Sequence, residues 1–303
     1  MNLFNQLVVK GMPVVPKNIV GKVASKYIAG EHIDDAISKV QELNSEGVLA
    51  TVDLVGEHSE SPENASEAVR IYLQVLDEIE SNHLNANVSI KPTQVGLSIS
   101  YEFLVEQVTK IVDRAQVLNN FLRIDMENSP YTDDTFRLHY KLREKYDNVG
   151  IVIQAYLRRT AADLVQLIDT KANVRICKGI YDESRLIAYK SRQIIINNYA
   201  TLLQDLLENN CYVGIATHCE ETVWHAQRIV RQLGLNRDQY EFQMLLGVDH
   251  ELMRILLNDG HRVRIYVPFG EEWYPYSLRR LTENPMLAGS IARDVLKLGN
   301  NSD

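Results

Sequence analysis

Residues Val149 to Lys178 read VGIVIQAYLRRTAADLVQLIDTKANVRICK, and this stretch contains one repeat of the pattern that decides the fold. An apolar segment, Val149–Tyr156, precedes a segment with a helical pattern, Thr160–Thr170, and a second apolar segment, Val174–Lys178, follows. Short apolar segments bounded by loops are typical of buried strands, and the longer segment between them favours a helix. Two strands separated by a helix predict a parallel βαβ unit.

The same alternation continues on both sides of this unit. The predicted strands are Val48–Val55, Val88–Pro92, Phe121–Met126, Val149–Tyr156, Val174–Lys178, Tyr212–His218, Tyr240–Leu246 and Arg262–Val267. The predicted helices are Glu31–Gly47, Glu63–Leu84, Ser100–Asn119, Thr132–Tyr146, Thr160–Thr170, Ser184–Asn209, Glu220–Leu233 and Asp249–Asp259. Eight such units have the size of an α/β fold of the (β/α)₈ TIM-like barrel type. A doubly wound open sheet is the alternative, and the first strand is not followed by the GxGxxG motif of its dinucleotide-binding members.

Composition narrows the functional classes. The chain has 303 residues, 45% of them hydrophobic, and a net charge of −8, which argues against a nucleic-acid surface. Cys177, Cys211 and Cys219 have no zinc-like spacing, so we expect reduced thiols and a cytoplasmic protein. No apolar run approaches the ~18 residues of a membrane span, and no signal peptide is expected.

Residues 1–30 differ from the rest because they contain lysines but no acidic residue. These lysines are Lys10, Lys17, Lys22 and Lys26. They fit either peripheral contact with an anionic membrane surface or a helical arm that packs on the body of the protein. Gly11, Pro13 and Pro16 interrupt the apolar residues and favour the arm. We therefore divide the chain into an N-terminal helical arm, 1–30, and a single barrel domain, 31–303.

The last predicted unit, Arg262–Pro285, combines a strand with a charged helix. Pro268 to Gly270 end the strand, and a helix is predicted to begin at Pro275. Four residues of that helix share one face: Tyr276, Arg279, Arg280 and Glu283. Two arginines on such a face form either a clamp for a carboxylate or a solvated ion-paired surface, and the position directly after a strand favours the clamp.

Polar residues end nearly every predicted strand. They are Asp53, Lys91, Asp125, Glu127, Gln154, Arg175, Lys178, Thr217, His218 and Tyr266. Active sites of such barrels lie at the carboxyl ends of the strands, so these residues predict a charged pocket.

Several of these strand residues have a second interpretation. Asp53, Arg123 and Arg264 could instead form ion pairs inside the barrel. Lys91 is either a Schiff-base lysine or a cation that faces Asp125. No histidine pair has a metal-binding spacing, so no metal is predicted, and Cys177 is expected to be a small buried side chain.

Taken together, these residues resemble the proline dehydrogenase family, and most closely its short, monofunctional bacterial members. The matching motifs are Lys91, Arg123–Glu127, Gln154–Tyr156, Arg175–Gly179 with Tyr181, Ala216–His218, Phe242–Gln243 with Leu245 and Gly247, and Tyr266 with Arg279, Arg280 and Glu283. The resemblance implies a distorted (βα)₈ barrel whose eighth helix lies over the barrel mouth. It also implies FAD as cofactor, oxidation of L-proline to Δ1-pyrroline-5-carboxylate, and a quinone as electron acceptor.

The resemblance also implies a role for each matching residue. Asp125 and Arg175 correspond to catalytic positions. The implied substrate-binding residues are Lys91, Tyr181, Leu245, Tyr266, Arg279, Arg280 and Glu283. The implied cofactor-binding residues are Met126, Gln154, Arg175, Ile176, Lys178, Gly179, Thr217 and His218. Hydride transfer from proline C5 to flavin N5 is the implied reaction, with Asp125 acting as a base or as a group that orients the amine.

Two departures from the family pattern concern the cofactor side. Cys219 follows Thr217 and His218 where members often have Asn or Asp. The segment Ile180–Glu183 reads Ile-Tyr-Asp-Glu, where longer members commonly have Ala-Tyr-Trp. Nothing in the chain resembles the aldehyde dehydrogenase domain of larger relatives, so a separate pyrroline-5-carboxylate dehydrogenase would use the product. The alternatives are a non-flavin aldolase that uses Lys91 or Lys178, and a non-enzymatic barrel that only binds ligands.

Overall fold

The computed structural model describes residues 26–274, 276 and 277, and its centre is a closed barrel of eight parallel strands. The strands are β1 Leu49–Leu54, β2 Ala86–Ile90, β3 Leu122–Ile124, β4 Val149–Gln154, β5 Val174–Cys177, β6 Val213–Ala216, β7 Tyr240–Leu245 and β8 Val263–Phe269. Each strand pairs with the next in sequence, and β8 pairs with β1 through Leu49 and Arg264. The predicted (β/α)₈ barrel is confirmed.

Eight helices of the described region surround the barrel. They are α1 Ile33–Ser45, α2 Pro62–Ser81, α3 Tyr101–Val117, α4 Thr132–Arg143, α5 Thr160–Asp169, α6 Arg192–Glu208, α7 Glu220–Leu233 and α8 His250–Asn258. The start of α2 shows how the sequence fixes these boundaries: Ser61 accepts a hydrogen bond from the Asn64 amide at 3.2 Å. Pro62 then takes the first helical position, where its missing N–H costs nothing.

The strands separate an apolar layer from a polar barrel interior. On β3, Leu122 and Ile124 are fully buried in the hydrophobic core that the strands share with the helices. Arg123, between them, bonds instead to main-chain oxygens of β4 and of the segment before β5. Because successive side chains of a strand alternate between its two faces, the apolar residues support the helices while the polar residues meet inside the barrel.

Helix α1 occupies an unusual place, because it comes before β1 in the chain. It packs against both β8 and β1, at the point where the barrel closes. Its buried residues, Ala36, Ile37, Val40 and Leu43, form the apolar face that makes this contact. A helix from the amino-terminal side therefore covers the outer surface next to β8.

The segment after β8 turns toward the barrel mouth. Trp273, Tyr274, Tyr276 and Ser277 are helical, so this helix begins at least two residues before Pro275, where the sequence placed its start. Tyr276 is buried and packs with Ile28 and Val55. The predicted clamp residues Arg279, Arg280 and Glu283 lie outside the described residues.

Two other predicted segments differ from the structure or are only partly described. The helix expected from Ser184 begins at Arg192, because Ala188 is pinned to Leu157 by an isolated bridge and is fully buried. Of the predicted N-terminal arm, residues 26–30 are described; they form a turn and an extended segment. The Ala29 amide donates to the Pro268 carbonyl at 2.9 Å, which ties this segment to β8.

Candidate active site

A cavity of about 560 Å³ opens at the carboxyl ends of the strands. The predicted site residues that line it are Lys91, Asp125, Met126, Gln154, Arg175, Lys178, Gly179, Tyr181, Thr217, His218, Leu245 and Tyr266. Ile176 does not line it, because its side chain is fully buried in the hydrophobic core. Tyr276 also lines the cavity, so the first turn of the helix after β8 reaches it.

A larger open groove of about 800 Å³ lies on the outer surface between α3 and α4. Arg137 stacks there over the ring of Tyr101, at 3.7 Å from its centroid. The groove is lined by residues of α3 and α4 and by Glu144, and none of the polar strand-end residues lines it. The chemical groups converge in the other cavity, which is therefore the candidate active site.

Asp125 is the centre of a hydrogen-bonded cluster at the floor of the cavity. Its Oδ1 accepts from Arg175 Nη1 at 2.7 Å and from the Ser89 hydroxyl at 2.7 Å. Its Oδ2 accepts from the Tyr266 hydroxyl at 2.8 Å. Three donors from three different strands thus hold one carboxylate at the edge of the cavity, a geometry that fixes its direction.

Arg175 has a second partner on the opposite side. Its Nε donates to Gln243 Oε1 at 2.5 Å, and Gln243 Nε2 donates to Glu241 Oε1 at 2.6 Å. Glu241 also accepts from Arg264 Nε at 2.6 Å. A chain of polar contacts therefore runs from the cavity into the barrel interior.

Lys91 forms a buried ion pair with Asp53, with Nζ at 2.6 and 2.8 Å from the two carboxylate oxygens. Burial raises the pKa of Asp53 to about 6, with Asp125 adding to the rise and Lys91 opposing it. Burial lowers the pKa of Lys91, but Asp53 and Asp125 more than offset it, so the net shift is upward. A Schiff-base lysine must lose its proton, and this environment holds the proton in place. The contacts therefore favour Lys91 as a cation.

The opposite wall of the cavity suits a planar polar cofactor. Gln154 Nε2 donates to the Met126 carbonyl at 3.2 Å, while the buried Gln154 Oε1 has no partner among the described residues. His218 Nε2 accepts the Leu245 amide at 2.8 Å, so a neutral ring carries its hydrogen on Nδ1. An acceptor and a ring of fixed tautomer therefore line one cavity, and buried acceptors of this kind are normally satisfied by a ligand or water.

Gly179 lets the chain pass close to this wall. Its φ is +98°, and a Cβ placed on it would lie 2.1 Å from Cδ1 of Tyr156. No other residue fits that backbone without moving the ring. The residues present therefore fit the flavin that the family resemblance implies.

Two buried glutamates lock the loops around the site. Glu127 accepts from the Thr93 hydroxyl at 2.5 Å and from the Thr93 amide at 2.9 Å. Glu183 accepts from the Ser129 amide at 2.6 Å and from the Ser129 hydroxyl at 2.7 Å. Burial raises the pKa of Glu127, and the bonds from Thr93 oppose that rise. These contacts join the loops after β2, β3 and β5 into one rim.

The two cysteines of the cavity have opposite environments. Burial raises the pKa of the Cys177 thiol to about 11, which fits the expected small buried side chain rather than a nucleophile. At Cys219 burial also acts upward, but hydrogen bonds from Thr222 and Arg192 bring its pKa down to about 6. The residue that departs from the family pattern is thus the more easily ionised thiol.

The ion pairs expected inside the barrel are confirmed for two of the three residues. Asp53 pairs with Lys91, and Arg264 pairs with Glu241. Arg123 has no carboxylate partner among the described residues and donates to the Ile151 and Asn173 carbonyls at 3.0 and 2.8 Å. Burial lowers the pKa of Arg123 to about 9.

Sequence reasoning missed Ser89 and Glu241 and gave Gln243 no role. Ser89 lies two residues before Lys91, so strand alternation alone places both side chains on the inner face. Glu241 and Gln243 follow the same rule on β7. Their partners depend on the register between strands, which no local pattern shows.

Comparison with known proteins gives one family. The family model described as "Proline dehydrogenase" matches residues 36–293. Proline dehydrogenase 2 of Bacillus subtilis is 35% identical over 262 residues, which cover 86% of this chain and 86% of that protein. The proline dehydrogenase of Deinococcus radiodurans is 32% identical over 280 residues, covering 91% of this chain and 90% of that protein.

One solved structure with the same fold comes from a larger protein. Proline utilization A from Bdellovibrio bacteriovorus, inactivated by N-propargylglycine, superimposes with a TM-score of 0.82 at 24% identity. The superposition covers 86% of this chain and 32% of that one. This likeness supports the barrel architecture and its closure.

Proposed function

The chain belongs to the proline dehydrogenase family, and from that premise we propose how this enzyme, which oxidises proline in proline catabolism, carries out the reaction. Residues on the Gln154 side of the cavity would hold FAD, and the chemistry that the bound flavin would supply is uptake of a hydride from proline C5, with a quinone as the final electron acceptor. The C5–N bond becomes a double bond, a proton leaves the nitrogen, and Δ1-pyrroline-5-carboxylate forms. The observation that carries the proposal is the convergence of Arg175, Ser89 and Tyr266 on Asp125 at the cavity floor.

The proline carboxylate would bind on the cationic side of the site. Lys91 supplies one charge from the described residues, and its side chain is 10% exposed toward the cavity. By family resemblance, Arg279 and Arg280 would add a bidentate clamp that Glu283 orients. Tyr266, Leu245 and Tyr181 would contact the apolar ring of proline.

Asp125 would face the proline nitrogen. Its Oδ2 is bonded to Tyr266 and its Oδ1 to Arg175, so the carboxylate keeps one orientation and presents its remaining lone pairs to the cavity. It would accept the proton that leaves the nitrogen. Asp125 and Arg175 are therefore the proposed catalytic residues.

Seven residues besides Arg175 are proposed to hold the cofactor. They are Met126, Gln154, Ile176, Lys178, Gly179, Thr217 and His218. The unpartnered Gln154 Oε1 would accept a hydrogen bond from the flavin ring, and the Arg175 guanidinium would stabilise negative charge on that ring. Ile176 would contribute through its main chain, since its side chain is buried elsewhere.

The partners follow from the proposed reaction. A quinone is lipid-soluble, so we propose a cytoplasmic enzyme that meets its acceptor by peripheral contact with the membrane, with residues 1–30 as the arm and 31–303 as the catalytic domain. None of the described helices is long and apolar enough to cross a bilayer. A separate pyrroline-5-carboxylate dehydrogenase would consume the product.

The test is reduction of a dye by the purified chain with L-proline as the only donor. We expect a yellow protein with a flavin absorbance and proline-dependent dye reduction. Asp125→Ala should lower kcat by about 100-fold or more while flavin content stays near that of the wild type. A colourless wild type, or turnover that does not depend on proline, would contradict the proposal. Loss of flavin in Asp125→Ala would make Asp125 a cofactor-binding residue instead.

A further inference from the structure

Arg175 is held at two different edges of its guanidinium group. Nη1 donates to Asp125 Oδ1 at 2.7 Å, and Nε donates to Gln243 Oε1 at 2.5 Å. The guanidinium is planar and rigid, so two bonds from different edges fix the orientation of the whole group. Gln243 and Asp125 therefore together fix the orientation of the Arg175 guanidinium.

The amide of Gln243 can satisfy its neighbours in one orientation only. Arginine offers donors and no acceptor, whereas a carboxylate offers acceptors and no donor. Gln243 Oε1 must face Arg175, and Gln243 Nε2 must face Glu241, to which it donates at 2.6 Å. The amide thus links a buried negative charge to the active-site cation.

Glu241, the last residue in this series of contacts, is itself held by several hydrogen bonds. Besides Gln243, it accepts from Arg264 Nε at 2.6 Å and from the Tyr212 hydroxyl at 2.9 Å. Burial raises its pKa, but Arg264 and these hydrogen bonds outweigh burial and bring the pKa down to about 2. Glu241 therefore stays ionised throughout the neutral pH range.

Gly214 on the neighbouring strand leaves room for the amide of Gln243. A Cβ on Gly214 of β6 would lie 2.4 Å from Gln243 Nε2. Contacts below 3.0 Å force a shift of the side chain or of the strand. Glycine at position 214 is thus a requirement of the Gln243 position.

Asp125 and Glu241 differ in what the reaction does to them. Asp125 lines the cavity and changes its charge if it takes the nitrogen proton, which weakens its bond to Arg175 at that moment. Glu241 is 2% exposed and does not line the cavity. We propose that Gln243 and Glu241 are positioning residues that keep the Arg175 guanidinium in place while the charge of Asp125 changes. This inference rests on the proposed role of Asp125.

The first test replaces Gln243 by methionine, which has similar length but cannot make either hydrogen bond. Gln243→Met should lower kcat by roughly 10–100-fold, as expected for loss of a hydrogen bond to a charged group, while KM for proline changes by less than about threefold. The visible absorption of the bound flavin should shift, since Arg175 moves. Gln107→Met is the matched control, because Gln107 is also buried, 3% exposed, but lies on α3 away from the cavity.

A second test separates positioning from a structural role. Asp125→Asn removes the charge of Asp125, and the cavity is then titrated with cyclopentanecarboxylate, followed by the perturbation of the flavin spectrum. With Gln243 present, we expect the ligand to bind within about threefold of its wild-type Kd. In the Asp125→Asn, Gln243→Met double variant, Arg175 has lost both Gln243 and the charge of Asp125 and is no longer held away from the ligand, so binding should weaken by roughly 10-fold beyond the product of the two single effects. Purely additive effects would overturn the inference.

Gly214→Ala covers the case in which Gln243→Met does not fold. It alters no polar group, but it pushes on Gln243 Nε2, so it should reproduce the kcat loss and the spectral shift. The positioning role would be overturned if the wild type turns over proline and both Gln243→Met and Gly214→Ala have the same kcat and flavin spectrum as the control Gln107→Met. A wild type that holds flavin but does not oxidise proline would instead overturn the proposed function.

Discussion

Two buried ion pairs of the same barrel hold their carboxylates in opposite ways. Asp53 pairs with Lys91 between β1 and β2, and Glu241 pairs with Arg264 between β7 and β8. Both carboxylates are at most 2% exposed. Yet the pKa of Asp53 is raised to about 6, whereas that of Glu241 is lowered to about 2.

The neighbours of each pair explain the difference. Asp53 lies near a second carboxylate, Asp125, whose negative charge opposes its ionisation. Glu241 accepts shorter bonds from two uncharged donors, Gln243 at 2.6 Å and Tyr212 at 2.9 Å, in addition to its arginine, whereas the Tyr72 hydroxyl donates to Asp53 at 3.5 Å. A buried ion pair therefore does not fix the charge of its carboxylate unless the surrounding groups support the ionised form. The pKa of Asp53 therefore lies closer to the neutral range than that of Glu241.

The largest expected effect comes from breaking each pair on the cation side. Arg264→Met should destabilise the protein by about 3–5 kcal/mol, because Glu241 remains buried and charged. Lys91→Met should cost about 1–2 kcal/mol, because Asp53 takes up a proton at a modest free-energy cost. Urea unfolding at pH 7 measures both. The double variant Asp53→Asn, Lys91→Met should have about the same stability as Lys91→Met. Equal stability losses for Arg264→Met and Lys91→Met would contradict the proposed difference between the two ion pairs.

The same two variants should differ in activity in the opposite order. Lys91→Met should raise KM for proline by roughly 10–100-fold, since it removes the proposed charge-assisted contact to the substrate carboxylate. Arg264→Met should leave KM within about threefold for the fraction that remains folded. Steady-state kinetics on both variants, corrected for flavin content, checks this. A KM effect of similar size in Arg264→Met would show that the two pairs act as one unit.

His139 is a third buried titratable group, and it has no hydrogen-bond partner among the described residues. Both ring nitrogens lack a hydrogen bond among the described residues, and burial lowers the pKa of His139 to about 3. The unfolded chain binds a proton below pH ~6.5 and the folded protein does not, so stability falls as pH decreases from about 6.5 toward 3.

His139→Phe should therefore remove about 2 kcal/mol of the stability loss between pH 7.5 and pH 5. Urea unfolding of wild type and variant at the two pH values isolates this contribution, because other titrating groups are common to both. Parallel pH profiles would mean that His139 takes up a proton in the folded state.

The smallest effect is expected for an ion pair on the surface. Lys110 and Glu106 are separated by 2.9 Å on α3, with side chains 46% and 64% exposed. Glu106→Gln should change stability by about 0.5 kcal/mol or less, and less still in high salt. A stability loss comparable to that of Lys91→Met would contradict the claim that the two barrel ion pairs contribute more to stability because they are buried.

The barrel and the cavity residues could be predicted because both follow from local rules. Alternation along a strand puts Asp125 and Arg175 on inner faces, and parallel strands bring their carboxyl ends together. Their partners could not be predicted this way. Lys91 was interpreted as either a Schiff-base lysine or a cation that faces Asp125, and the structure pairs it with Asp53, a partner that depends on the register between β1 and β2.

Long-range contacts also overrode a local helical pattern. Residues 184–191 have the composition of a helix start, yet Ala188 pairs with Leu157 and the Tyr189 amide donates to the Tyr156 carbonyl at 2.8 Å. These contacts hold residues 184–191 outside the helix, which begins at Arg192. Ile176 was assigned to the cofactor because it lies within a matching motif, although strand alternation points its side chain into the core.

Helix α1 has a consequence for the order in which the protein can fold. Its apolar face rests on β8 and β1, so the first helix of the barrel packs partly against the last strand. During synthesis, α1 leaves the ribosome more than 200 residues before that strand. Until β8 emerges, Ala36, Ile37, Val40 and Leu43 remain incompletely covered, and the nascent chain carries an exposed apolar surface. Closure of the barrel between β8 and β1, and full burial of this helix face, therefore have to wait until the last strand has been synthesised.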